Sequence, residues 1–238
     1  MRSMRNIYFG ISLLVLVSCG QGCRDTKPDI LLIEHRASEI QVDGNIEESE
    51  WDNATTITDL CSPWVPTAKD HTVFKCFHSG QYFNFYFSVI DKTITCKDPK
   101  DEFVVTEGDR VEIFFSPTPD LNKYYCIEIA PNGNTLDYAA QFYRKFDYSW
   151  DFEHLAVISR ITPAGYVVEG RVSLIELEKL HIDLKKGFYL GIFRADFTEE
   201  NEDSVIWYSW QHPRVTNPDF HIPSAFGKCK LNKFKIGF

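Results

Sequence analysis

Short runs of alternating apolar and polar side chains, separated by turn-forming residues, recur along most of the chain. They are 72–77 (TVFKCF), 82–90 (YFNFYFSVI), 110–116 (RVEIFFS), 124–130 (YYCIEIA), 135–143 (TLDYAAQFY), 155–161 (LAVISRI), 166–174 (YVVEGRVSL), 189–197, 205–210 and 228–234. A period of two puts successive side chains on opposite faces of a strand. HSGQ, PNGN and TPAG join neighbouring runs with the Gly, Asn and Pro chemistry of tight turns. Only 174–180 (LIELEKL) has a helical pattern. Hairpin after hairpin without crossover helices predicts antiparallel pairing. About ten such strands in one domain predict an all-β, antiparallel two-sheet β-sandwich with one short helix.

The alternation also sorts charges. In RVEIFFS, Val111, Ile113 and Phe115 oppose Arg110 and Glu112. In YYCIEIA, Tyr125, Ile127 and Ile129 oppose Tyr124, Cys126 and Glu128. Val168, Val172 and Leu174 oppose Glu169 and Arg171, and Phe193, Ala195 and Phe197 oppose Arg194 and Asp196. If these strands share a sheet, Arg110, Glu112, Glu128, Glu169, Arg171 and Arg194 form a charged floor. A solvated outer face laced with ion pairs would show the same pattern. Aromatic loops over the floor would instead make a binding site, because a ligand pocket combines apolar surface with a few fixed polar groups.

Composition narrows the classes. Nineteen Phe, 11 Tyr and 5 Trp are enough to bury a core. Residues 1–23 begin with basic Arg2 and Arg5, continue with the apolar run Ile7–Val17, and reach Ser18-Cys19. This has the shape of a secretory signal whose apolar run is too short to span a bilayer. Leu16-Val17-Ser18-Cys19 resembles the lipobox of bacterial lipoproteins, which implies cleavage before Cys19 and lipidation of its thiol; an ordinary signal peptide is the alternative. Residues 1–18 are then signal peptide, 19–29 a lipidated tether and 30–238 the sandwich domain. Losing residues 1–18 removes Arg2, Arg5 and no acid, so the formal charge moves from -9 to -11. An acidic surface argues against nucleic acid as a partner. Beside Cys19, Cys23, Cys61, Cys76, Cys96, Cys126 and Cys229 could oxidise in an exported protein, although Cys126 and Cys229 lie in strand-like runs that suit buried thiols.

The segment IQVDGNIEESEWDNA (40–54) resembles the opening of family 9 carbohydrate-binding modules, an Asp-Gly turn followed by acidic residues, a Trp and a small residue. GDRVEIFFSP, GYVVEGRVSL, LGIFRADF and WYSWQHP…PDFHIPSAFGKCKL follow in the family's order. The resemblance implies an antiparallel sandwich that holds a sugar ring between two aromatics, with charged and amide groups bonding its hydroxyls. It implies that Phe220 supplies one wall, that Glu112 and Arg194 are polar ligands, and that Asn217 lies near a family Asn. The family's first Trp would fall near Thr106, and its next-strand Arg at Cys126, so the clamp does not transfer intact. Arg110 and Glu128 on the floor, Trp150 in the loop 141–154, and His221 beside Phe220 complete the candidates. Loop 141–154 could equally be a hydrophobic plug. Trp64 is a further aromatic candidate, whereas Trp51 and Trp210 read as core.

No nucleophile elbow, metalloprotease motif or phosphate loop occurs, and both methionines, Met1 and Met4, lie in the signal segment. The expected function is non-catalytic binding of xylan- or glucan-type polysaccharide or oligosaccharide at the bacterial envelope, lipid-anchored on the periplasmic side or outer surface. The alternatives are a structural or protein-interaction module that has lost sugar binding, or an accessory subunit of a polysaccharide-degrading enzyme. No cofactor is expected beyond a structural calcium.

Overall fold

The computed structural model describes residues 29–58, 60–198 and 205–233. Cys19 and the segments 1–18 and 19–28 lie outside them. Among the described residues no helix is long and apolar enough to cross a membrane.

Among the described residues, thirteen strands form two sheets. The five-stranded sheet is ordered β2 (Thr55–Ile57), β3 (Thr72–Ser79), β4 (Tyr82–Ile90), β10 (Gly165–Ser173) and β9 (Leu155–Thr162). The eight-stranded sheet runs β1 (Leu31–Ile33), β13 (Gly227–Leu231), β11 (Phe188–Phe197), β5 (Arg110–Ser116), β6 (Tyr124–Ile129), β7 (Thr135–Gln141) and β8 (Lys145–Asp147). Strand β12 (Val205–Ser209) pairs with the far half of β11. Every pair of named strands is antiparallel except β1 with β13. The helix α1 spans Leu174–Lys179, capped by the Ser173 hydroxyl, which accepts from the Glu176 amide.

The inner faces meet in one core. Phe74, Phe83, Phe85, Phe87, Tyr166 and Val168 come from one sheet, and Val111, Ile113, Phe115, Ile127 and Leu190 from the other. The eight-stranded sheet has a second apolar layer on its outer face. There Phe114, Tyr124, Tyr138 and Phe193 are roofed by Phe220, Ile222 and Phe226. The aromatic surface of the irregular segment 217–226 is therefore used as a lid, and not left in water. Gly227 enters β13 where a Cβ would lie 2.5 Å from the Trp210 ring, so only glycine fits.

This doubly covered sheet corrects the charged floor. In β11, Phe193 stands opposite Glu112 and Arg194 opposite Val111. Arg194 is thus on the inner face, and Phe193 and Ala195 are on the outer one. Both faces of β11 are buried, so alternation alone cannot say which is the interior. Glu169 and Arg171 sit on β10, in the other sheet. Glu169 accepts the amides of Asp43 and Gly44 at 2.8 and 2.7 Å, fixing the Asp-Gly turn, whose glycine has φ +81°. Arg171 lies over Tyr82, 4.1 Å from its ring centre. Three members of the expected floor remain together: Arg110, Glu112 and Glu128.

Candidate functional site

Glu112 and Glu128 face each other across β5 and β6. Arg110, two residues before Glu112, shares their face, and its Nε lies 2.9 Å from Glu112 Oε1 and 2.8 Å from Glu128 Oε2. Its Nη1 also reaches the Thr106 and Gly108 carbonyls. The Tyr138 hydroxyl donates to Glu128 Oε1 at 2.7 Å. All three charged side chains are nearly inaccessible, at 6, 2 and 5% exposure. One guanidinium between two buried carboxylates leaves an excess negative charge. Burial first, and the Glu128 charge second, push the Glu112 carboxyl up, against the opposing pull of Arg110.

These three residues floor a pocket of about 150 Å³. Trp207, Phe220 and Pro218 supply its apolar walls, and Arg144, Asp219 and His221 its remaining polar ones. Trp207 reaches the pocket because it pairs with Ala195, which in turn pairs with Arg110; its ring centre is 5.2 Å from the guanidinium. Phe220 stacks on Phe193 at 4.2 Å and meets Trp207 at 5.4 Å. Arg144, at the tip between β7 and β8, donates to Asp219 Oδ1 at 2.9 Å, and the Tyr143 hydroxyl donates to Asp219 Oδ2 at 2.6 Å. His221 lies flat against Phe114, with Nδ1 3.1 Å from the Tyr124 hydroxyl. Burial, aided by Arg144, pushes its pKa down to about 3, so it is neutral and able to exchange hydrogen bonds without charge.

Of the expected site residues, Phe220, Glu112, Arg110, Glu128 and His221 come together here. Three do not. Arg194 is sealed in the interior, paired with Asp70, Asp91 and Asp196 at 3.1, 2.7 and 3.4 Å. Trp150 packs on Tyr125 and Phe152, both at 4.8 Å, plugging the end of the inner core. Asn217 is exposed and outside the pocket lining. Loop 141–154 is therefore divided, with Trp150 as plug and Tyr143 and Arg144 at the pocket. Trp64 stands behind Phe220, 6.2 Å from its ring, and Trp51 and Trp210 are buried. Thr106 is not aromatic, but Trp207 supplies a second aromatic wall from a different strand. Cys126 is a buried thiol in the layer beneath the pocket, where Arg144 from the next hairpin now brings the second guanidinium. Cys76, Cys96, Cys126 and Cys229 are free, and Cys61 is disulfide-bonded.

The carboxylates of Asp91, Asp109 and Asp196 lie within 4.8 Å of one another. Oxygen donors of this kind suit a hard divalent cation such as calcium. Arg194 already neutralises Asp91 and Asp196 from one side, and the Thr95 and Phe197 amides bond Asp109.

Residues 42–234 match the family described as carbohydrate family 9 binding domain-like. The chain belongs to this family. Its fold is shared by a "putative carbohydrate-binding protein" from Bacteroides uniformis ATCC 8492, with TM-score 0.66 and 16% identity over 85% of this chain and 98% of that one. A family 9 module from Caldicellulosiruptor kristjanssonii, solved in complex with glucose, gives a TM-score of 0.56 and 17% identity over 87% of this chain and 98% of that one. The same organism's family 9 module in complex with cellotriose gives 0.56 and 16%, over 85% and 94%. No curated protein matches the chain. Family membership supports carbohydrate as the class of ligand for this module.

Proposed function

We propose that the chain is a non-catalytic module that holds a sugar of a xylan- or glucan-type polysaccharide in the Arg110–Glu112–Glu128 pocket. The observation that carries this reading is the juxtaposition of a buried, mutually fixed charge triad with the Trp207 and Phe220 rings. Sugar hydroxyls need donors and acceptors held in place, and sugar C–H faces need aromatic surface. The triad also argues against hydrolysis. A glycosidase places the reacting bond between its two carboxyl groups. Here that space is taken by the Arg110 guanidinium, which holds both.

Calorimetric titration of the domain against xylan, glucan, mannan and their oligosaccharides tests the reading. Heat should appear with one class, and Trp207→Ala, at a partly buried ring on the edge of the outer apolar layer, should weaken that binding by about tenfold to a hundredfold in protein that still melts cooperatively. Unchanged binding in the variant would remove Trp207 from the site. Appearance of new reducing ends on incubation would overturn the non-catalytic assignment.

We further infer that Cys19 anchors the module to a bacterial envelope membrane, on the basis of the residues that precede it. Cys19→Ala should move the protein from the membrane fraction to the soluble one; a variant still in the membrane fraction would refute the anchor. Glycan binding as proposed uses no cofactor. A calcium ion held by Asp91, Asp109 and Asp196 would act structurally, since these residues lie near the inner-face Arg194 and not in the pocket lining.

A further inference from the structure

Four aromatic side chains are exposed among the described residues: Phe103, Phe142, Tyr143 and Tyr148, at 47, 46, 53 and 43%. Three of them, Tyr143, Tyr148 and Phe103, connect to pocket residues or to the groups that hold them, and Phe142 meets Tyr143 with ring centres 5.4 Å apart. Tyr143 is tied to the pocket residue Asp219. Tyr148 packs at 5.1 Å on Tyr138, whose hydroxyl holds Glu128. Phe103 meets Tyr148 edge to face at 4.8 Å. It belongs to the 3-10 segment Glu102–Glu107, which also presents the Thr106 carbonyl to Arg110. Exposed apolar rings gathered on one rim mark a contact surface.

We propose that the pocket is the first of a row of sugar subsites, and that Tyr148 and Phe103 carry the following units of the same chain. This rests on the pocket reading above. Three observations favour further sugar rings as the occupant. The surface is continuous with the pocket: ring centres step from His221 to Phe146, Tyr148 and Phe103 by 4.9, 5.6 and 4.8 Å. The pocket, at about 150 Å³, closes around little more than one ring, so any longer chain must leave across its rim. The rim offers ring faces and edges beside a tyrosine hydroxyl, which suits units with C–H faces and hydroxyl edges. The ligand class is therefore an oligosaccharide or chain segment of at least three units, and not a free monosaccharide.

The test is calorimetry with glucose, cellobiose, cellotriose and cellopentaose, and with xylo-oligosaccharides of the same lengths. Wild type, Phe103→Ala and Tyr148→Ala are compared. Affinity should climb by about tenfold or more from one unit to three or beyond, an aromatic contact's worth per added ring. Phe103→Ala and Tyr148→Ala should remove that climb while leaving the affinity for the shortest ligand unchanged. Because Phe103 is exposed, its variant should melt as wild type does. An affinity independent of length, or a climb that survives both substitutions, overturns the rim subsites and leaves the pocket standing. No heat with any probe, from protein that melts cooperatively, overturns the pocket reading and the rim with it.

Discussion

Arg194→Met should lower the melting temperature by about 10 °C or more and leave glycan affinity unchanged in whatever fraction remains folded. The guanidinium is 2% exposed and is shared among Asp70, Asp91 and Asp196. Asp109 adds a fourth carboxyl within reach of the same cluster. Removing the cation leaves several negative groups in the interior with no counter-charge. Breaking a buried pair in this way costs about 3–5 kcal/mol, against about 5–15 kcal/mol of total stability. Neutralising a partner as well, in Arg194→Met/Asp196→Asn, should recover part of the loss. Differential scanning calorimetry reads the stability, and titration with the glycan class found to bind reads the site. A variant that melts within about 2 °C of wild type but loses its glycan would return Arg194 to the role that the family resemblance implies for it.

Arg194 also shows where sequence reasoning reached its limit. The strands were legible because each run alternates and each hairpin carries its own turn residues. The inner face of β5 and β6 was legible too, since Val111, Ile113, Ile127 and Ile129 are apolar where Glu112 and Glu128 are charged. In β11 the rule has no purchase. Phe193 is as apolar as Ile192, because segment 217–226 covers the outer face as closely as the other sheet covers the inner one. Trp207 was hidden for a similar reason. In VIWYSW, Trp207 and Tyr208 are both aromatic and point to opposite faces, and only the register against β11 and β5 shows which ring meets Arg110. The short strands β1, β2 and β8 have three residues each, too few for a periodic signal. Phe220 entered as a wall only through the family resemblance, since the irregular, proline-rich segment around it has no periodicity that would give its aromatics a side.

The largest effect on the proposed function is expected at Arg110. Arg110→Met should weaken glycan binding by at least about a hundredfold, the worth of two charge-assisted hydrogen bonds. It should also destabilise the protein, and the deficit should depend on pH. Glu112 already has a raised carboxyl pKa in the fold, so its contribution to stability is fully present below the ordinary value of 4.5 and is lost as pH rises through the folded value. Arg110 is the neighbour that opposes this rise. Without it the Glu112 carboxyl moves further up, so the deficit should be small near pH 4.5 and grow toward pH 8, reaching about 3–5 kcal/mol. Adding Glu112→Gln removes one of the two buried charges. Arg110→Met/Glu112→Gln should therefore regain stability at neutral pH and flatten its pH dependence, yet still fail to bind. That separation distinguishes loss of the polar contacts that Arg110 and Glu112 offer the ligand from loss of the fold that holds the floor together. If the double variant binds as wild type does, Arg110 is a counter-ion for the two glutamates, and the sugar's polar contacts must come from Arg144, Asp219 and His221 across the pocket.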